Sequence, residues 1–237
     1  MKLIFEERFS DSPYVERIWR SQCPDPGIFT SVALSHWQMS VWKEGDRMNL
    51  TVRGPETTAT PVPCPEHEEI VGIVFKFGTF MPLIPASSLV DGAITLPEGI
   101  SRTFQLNGEA WEFPNYENAD AFVERLVREG LLVKETVVDS VLYNQPQDIS
   151  LRSVQRRYLR ATGITHSTAY QIDRARYATL LLRQGMPILD VVDQAGYADQ
   201  PHLTRSLKQY MGQTPAQILN DETAQTMSFL FKTALFE

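Results

Sequence analysis

The sequence predicts an α+β protein: a β-rich first half, read as a barrel or sandwich, followed by an all-α unit containing two similar helical hairpins. Three observations predict it. Up to Tyr116, short runs rich in Val, Trp, Phe and Thr alternate with Pro/Gly turns. After Asn118 the apolar residues recur at helical spacing. The outward-basic pattern of Ile149–Gly163 then returns in Gln200–Tyr210. With 237 residues, 43% apolar and 22% charged, the chain has room for two ordinary globular domains.

In the β half, Ile28–Trp42, Met48–Arg53 and Glu69–Phe77 (EIVGIVFKF) read as strand-rich segments. Gly54-Pro55, Pro61-Val62-Pro63 and Asp91-Gly92 read as turns, and Pro82–Pro85 as a turn over the barrel mouth or an edge-strand stop. His36, Trp37, Trp42, Phe75, Phe77 and Phe80 supply aromatic surface, either for a small-molecule pocket or, the commoner use, to fill the interior. No ligand-binding residue is assigned. A metal site is not expected. His36 and His67 are the only histidines before Thr165, and Glu66, Glu68 and Glu69 alternate faces if they lie on a strand. No Ser-His-Asp or Cys-His arrangement and no phosphate-binding glycine loop stands out, so no catalysis and no cofactor are expected. Cys23 and Cys64 have no Cys-x-x-Cys spacing, which points to a reducing compartment without a disulfide framework. No run approaches the roughly 20 apolar residues of a membrane span, and no leader is visible, so a cytoplasmic location is expected.

Asn118–Gly130 reads as an amphipathic helix capped by Asn118, with Phe122, Leu126 and Val127 on one stripe. It either packs on its own β half or pairs two subunits. A helix over Lys134–Tyr143 follows. In ISLRSVQRRYLRATG, Ser150 caps and Gly163 ends a helix whose Leu151, Val154, Tyr158 and Ala161 face inward. Arg152, Gln155, Arg156 and Arg160 project outward with no acid among them, a bias that favours a polyanion. Ala169–Arg183 reads as a long helix, capped by Ser167 or Thr168 and closed at Gly185. After Pro187, the residues Ile188, Val191, Val192 and Ala195 form a short apolar stripe, and Gly196 ends it. Asp199 then caps a second helix with Leu203, Leu207 and Tyr210 inward. Its outward or N-terminal side carries Gln200, His202, Thr204, Arg205 and Lys208, the donors and acceptors that suit base edges and phosphates.

The net charge of −7 does not oppose this reading, because charge is partitioned. From Asp148 to Leu219 there are nine Lys and Arg against five Asp, a local balance of +4 that leaves −11 elsewhere.

The stretch GYADQPHLTRSLKQYMGQTP, Gly196–Pro215, resembles the signature of the AraC/XylS family of bacterial transcription regulators, with Arg156, Arg157, Tyr158, Thr162 and Gly163 in matching places upstream. The resemblance covers roughly the last hundred residues before the tail. It implies two helix-turn-helix units joined by the long helix, with Arg152, Gln155 and Arg156 and then Gln200, His202, Thr204 and Arg205 as base and phosphate contacts. It also implies a cupin-like regulatory domain ahead of them. The expected division is residues 1–116 (β-rich domain), 117–133 (linking or dimerisation helix), 134–222 (DNA-binding domain) and 223–237 (apolar tail). One departure is Asn144–Asp148, where Pro146 would break the first scaffold helix in place of a glycine turn. The expected function is sequence-specific regulation of transcription. The partners are double-stranded DNA through its major groove and, beyond it, a small-molecule effector, a second copy of the chain or RNA polymerase. The alternatives are a cupin-like metal or enzymatic domain carrying a helical module, or a regulator acting mainly through a protein partner. The tail, Thr226–Phe236, is apolar and needs a surface to cover it.

Overall fold

Residues 4–64, 69–100 and 102–220 are described by a computed structural model. The first half contains β1 (Ile4–Phe9), β2 (Val15–Gln22), β3 (Gly27–Ser31), β4 (Gln38–Glu44), β5 (Arg47–Arg53), β6 (Thr60–Cys64), β7 (Glu69–Phe75), β8 (Thr79–Phe80), β9 (Ala93–Thr95), β10 (Thr103–Leu106) and β11 (Glu109–Glu112). Then come α1 (Ala119–Arg128), β12 (Val133–Lys134), α2 (Thr136–Leu142), α3 (Leu151–Thr162), α4 (His166–Arg183), α5 (Ile188–Gln194), α6 (Gln200–Met211) and α7 (Pro215–Asn220).

Six strands form one antiparallel sheet in the order β1-β2-β7-β4-β5-β9. Its end strands do not pair with each other, so the hydrogen-bond order leaves the sheet open. Residues two apart on a strand share a face, and that period sorts the sheet. Ile18, Met39, Val41, Leu50, Val52 and Ile73 point into the main core, together with the β10–β11 hairpin and α1. Arg17, Trp19, Ser40 and Trp42 point to the opposite face, where the β3–β6 ribbon covers them. The result is a sheet with a core on one side and a small covered cavity on the other. Of the aromatics noted in the sequence, Trp37, Phe75 and Phe80 fill the core, whereas Trp42 lines the cavity.

The helix α1 buries Ala119, Phe122, Val123 and Leu126 in that same core. Its cap differs from expectation. The Asn118 side chain accepts from the Asn115 N–H at 2.8 Å, outside the helix, and makes no cap bond. The helix expected from Lys134 begins instead at Thr136, because Val133 and Lys134 pair with β8 and Glu135 caps α2 by accepting from Val137 N–H at 3.2 Å.

Cys23 is buried and disulfide-bonded, which corrects the expectation drawn from spacing. The pairing of β3 with β6 sets residue 64 opposite Gly27, a proximity that separation along the chain does not reveal. No described helix is long and apolar enough to cross a membrane. His67 with Glu66 and Glu68, and the tail from Thr226 to Phe236, lie outside the described residues.

Candidate nucleic-acid interface

The first helix-turn-helix unit is α2 and α3. The scaffold helix α2 ends at Leu142, before Pro146 can break it, and Asn144 adopts the left-handed φ of 49° that a glycine would otherwise supply. Asparagine tolerates that conformation better than most residues. The feared disruption at Pro146 is therefore absent, since the turn is made two residues earlier. Ser150 caps α3 by accepting from Ser153 N–H at 3.3 Å, and Gly163 closes it at φ 78°. A Cβ at Gly163 would stand 2.8 Å from the Ala86 carbonyl oxygen, so close approach as well as positive φ requires glycine there. Val154, Tyr158 and Ala161 are buried as periodicity predicts. Leu151 is not; it is 72% exposed, a correction to the inward stripe. Arg157 of α3 bonds the cap residue of α2, its Nε donating to Glu135 at 3.0 Å, which ties the two helices together. Arg152, Gln155, Arg156 and Arg160 are all exposed, and none of their side chains has a hydrogen bond or ion pair to another described residue.

The second unit is α5 and α6. Val191, Val192 and Ala195 are buried and Ile188 is half-buried. Gly196 makes the turn at φ 67°, and Asp199 caps α6 by accepting from His202 N–H at 2.6 Å. Leu203 and Leu207 are buried and Tyr210 partly so. Gln200, Arg205 and Lys208 are exposed, and their side chains have no partner among the described residues. His202 and Thr204 are engaged internally. The His202 ring stacks edge-on against Tyr197 at 5.1 Å and lies 3.4 Å from an Arg174 nitrogen. Thr204 donates to the Gln200 carbonyl at 2.9 Å. Arg174 itself holds the turn, donating to the Gly196 carbonyl at 3.2 Å and stacking over Tyr197 at 4.2 Å.

Between the units runs α4, capped by Thr165 rather than by Ser167 or Thr168, since the chain enters helical geometry three residues before the expected start. It is buried nearly all round: Asp173, Arg174, Arg176 and Thr179 are as covered as its alanines and leucines. One side is the core of the second unit. The other meets the β half through a buried polar cluster. Arg176, 1% exposed, donates to the Ala33 carbonyl at 2.8 Å. Ser35 donates to Asp173 at 3.3 Å, its hydroxyl lies 3.1 Å from His36 Nδ1, and His36 Nε2 is 3.4 Å from Glu16. Burial raises the Asp173 carboxyl and lowers the Arg176 guanidinium. Burial also works to raise Glu16, but His36, Arg17 and Arg176 outweigh it and bring the carboxyl from 4.5 down to about 2.

The same segment touches the second unit again. Ala33 N–H donates to the Tyr210 carbonyl and Ala59 N–H to the Gln209 carbonyl, each at 2.8 Å, so the C-terminal end of α6 is stitched to the β half. The cavity under the β3–β6 ribbon, about 320 Å³, has Trp19, Phe29 and Trp42 on its walls, with Arg17, Arg53 and Arg176 among its polar residues. Ser31, Val32 and Leu34 also line it, flanking the Ala33 backbone that bonds both α4 and α6. Sequence reasoning missed this cluster, because nothing in local spacing marks Arg17, Asp173 or Arg176 as buried.

No curated protein matches the chain. The solved structure of ToxT from Vibrio cholerae is similar to it at 10% identity and a TM-score of 0.38, covering 92% of this chain and 98% of that one. Residues 147–221 match a family described as a helix-turn-helix domain. With the two capped hairpins and the joining helix, that match identifies the C-terminal part of the chain as an AraC-type helix-turn-helix domain, the DNA-binding module of a transcription regulator.

Proposed function

We propose that the protein is a sequence-specific regulator of transcription that reads two successive major-groove faces with the N-terminal ends of α3 and α6. The observation that carries the reading is shared by both helices. Each is capped by a short polar side chain, Ser150 or Asp199, and each leaves cations and amides exposed: Arg152, Gln155, Arg156 and Arg160 on α3, and Gln200, Arg205 and Lys208 on α6. Such groups contact base edges at the first turns and phosphates farther along. His202 and Thr204 serve chiefly to shape the turn and first helical step that present Gln200 and Arg205. Two recognition helices about 34 Å apart would let one subunit occupy about two turns of duplex. We further propose that an effector binds the cavity beneath the β3–β6 ribbon and acts through the Ser31–Leu34 segment, whose Ala33 backbone bonds Arg176 of α4 and Tyr210 of α6.

Selection of bound sequences from a random duplex pool at near-physiological salt tests the reading. The expected result is a motif with two constrained blocks about one helical turn apart. A single block would remove one unit from the interface; no enrichment at all would overturn unaided DNA reading. On the recovered site, Arg205→Ala is expected to cost about 1–3 kcal/mol and to relax preference at one position. Equal losses on the selected and on random duplexes would instead make Arg205 a phosphate contact.

A further inference from the structure

The outward face of α3 has a member that charge and polarity do not reveal. Leu151 is the first helical residue after the Ser150 cap, and it is 72% exposed although its helical period matches that of the buried Val154, Tyr158 and Ala161. Burial on this stripe begins only at Val154. Leu151 lies in one row with exposed Gln155, four residues on, and next to the row of exposed Arg152 and Arg156. A single exposed leucine on an ordinary surface needs no explanation. This one stands in the turn that a recognition helix lays against base edges, surrounded by side chains suited to DNA.

A leucine has no donor or acceptor, so it cannot read the polar edges of guanine, adenine or cytosine. The major groove offers one apolar group, the C5-methyl of thymine. We propose that Leu151 is a specificity-determining residue that packs its isobutyl group on a thymine methyl within the block read by α3. Arg152 and Gln155 beside it supply the polar contacts that hold the register. The inference rests on the DNA-reading function proposed above. It adds a preference that the arginines cannot provide, because an arginine selects guanine or grips phosphate.

The test uses the full chain and the duplex that it recovers from the random pool. Each thymine of that duplex is replaced in turn by deoxyuridine, which pairs identically but lacks the methyl group. The wild type should lose about fourfold in affinity at one position of the α3 block, the effect of one methyl group no longer buried. Leu151→Ala should bind the unmodified duplex about as weakly as the wild type binds the modified one, and should no longer distinguish the two. Because Leu151 is exposed, this variant should melt with the wild type. The inference is overturned if no single methyl group matters to the wild type, or if Leu151→Ala remains as sensitive to the same methyl. Failure to recover any duplex would overturn the DNA reading itself, and this assignment with it, so the two failures are told apart at the first step.

Discussion

Replacing Arg176 by methionine should lower the free energy of unfolding by about 3–5 kcal/mol, the range for removing one partner of a buried charge cluster. The side chain is 1% exposed, donates to the Ala33 carbonyl at 2.8 Å and sits in the field of Asp173, Glu16 and Glu56. Methionine fills most of the volume, so the loss reports charge and hydrogen bonding more than a cavity. The acids left behind lose a nearby cation while remaining in a low-dielectric setting, where restoring water is not open to them. Urea unfolding of Arg176→Met, Asp173→Asn and the double variant checks the account. The double variant should cost clearly less than the sum of the two, since Asp173→Asn removes an acid that Arg176 compensates. Costs that add to within about 0.5 kcal/mol would mean that the two groups do not share a network. The same variant should disturb DNA binding beyond its effect on folding, because Ala33 also bonds Tyr210 at the end of α6.

Glu16 should make stability depend on pH with a definite sign. Burial pushes its carboxyl up, yet His36, Arg17 and Arg176 bring it from 4.5 to about 2. A carboxyl held below its unfolded value contributes stability that is complete above about pH 4.5 and is lost as pH falls through the folded value. A difference of that size corresponds to about 3 kcal/mol at pH 6. Asp173 runs the other way, since burial raises it and its neutral form favours the folded state at low pH. It is present in both proteins when the wild type is compared with Glu16→Gln, and Glu16 is the smallest of the influences on it, so the difference reports chiefly on Glu16. That difference should be about 3 kcal/mol at pH 6 and narrow to about 2 kcal/mol at pH 3.5. A difference that stays flat over this range would place the Glu16 carboxyl in ordinary solvent.

The two predictions concern residues that no reading of the sequence singled out, and the reason is physical. A cap, a turn and an apolar stripe are local: Ser150, Gly163, Gly196 and Asp199 are legible because each acts within four residues of itself. The strand over Glu69–Phe75 was legible for a similar reason, being a run of β-branched and aromatic residues. The strands β1 and β2, IFEERF and VERIWRSQ, were not. Their charges obscure the alternation, and Arg17 is a buried cation on the cavity face rather than a surface residue. The β10–β11 hairpin did carry a signal, the Asn107-Gly108 pair with both residues at positive φ, and it would have been found by looking for that dipeptide between short apolar runs.

The sequence by itself determined the two helix-turn-helix units, their outward cations and amides, and the strand-rich character of the first half, since caps, turns and periodicity are properties of neighbouring residues. Only the tertiary structure decided which polar groups are buried and what lies beside them. In α4, Asp173 and Arg176 look like solvated charges until the Val32–His36 segment closes over them. Tertiary packing also left Leu151 exposed on α3 while burying its periodic companions Val154 and Tyr158. Burial depends on surfaces that come from distant parts of the chain, and the energy of a charge or a leucine is set by that burial rather than by its neighbours in sequence.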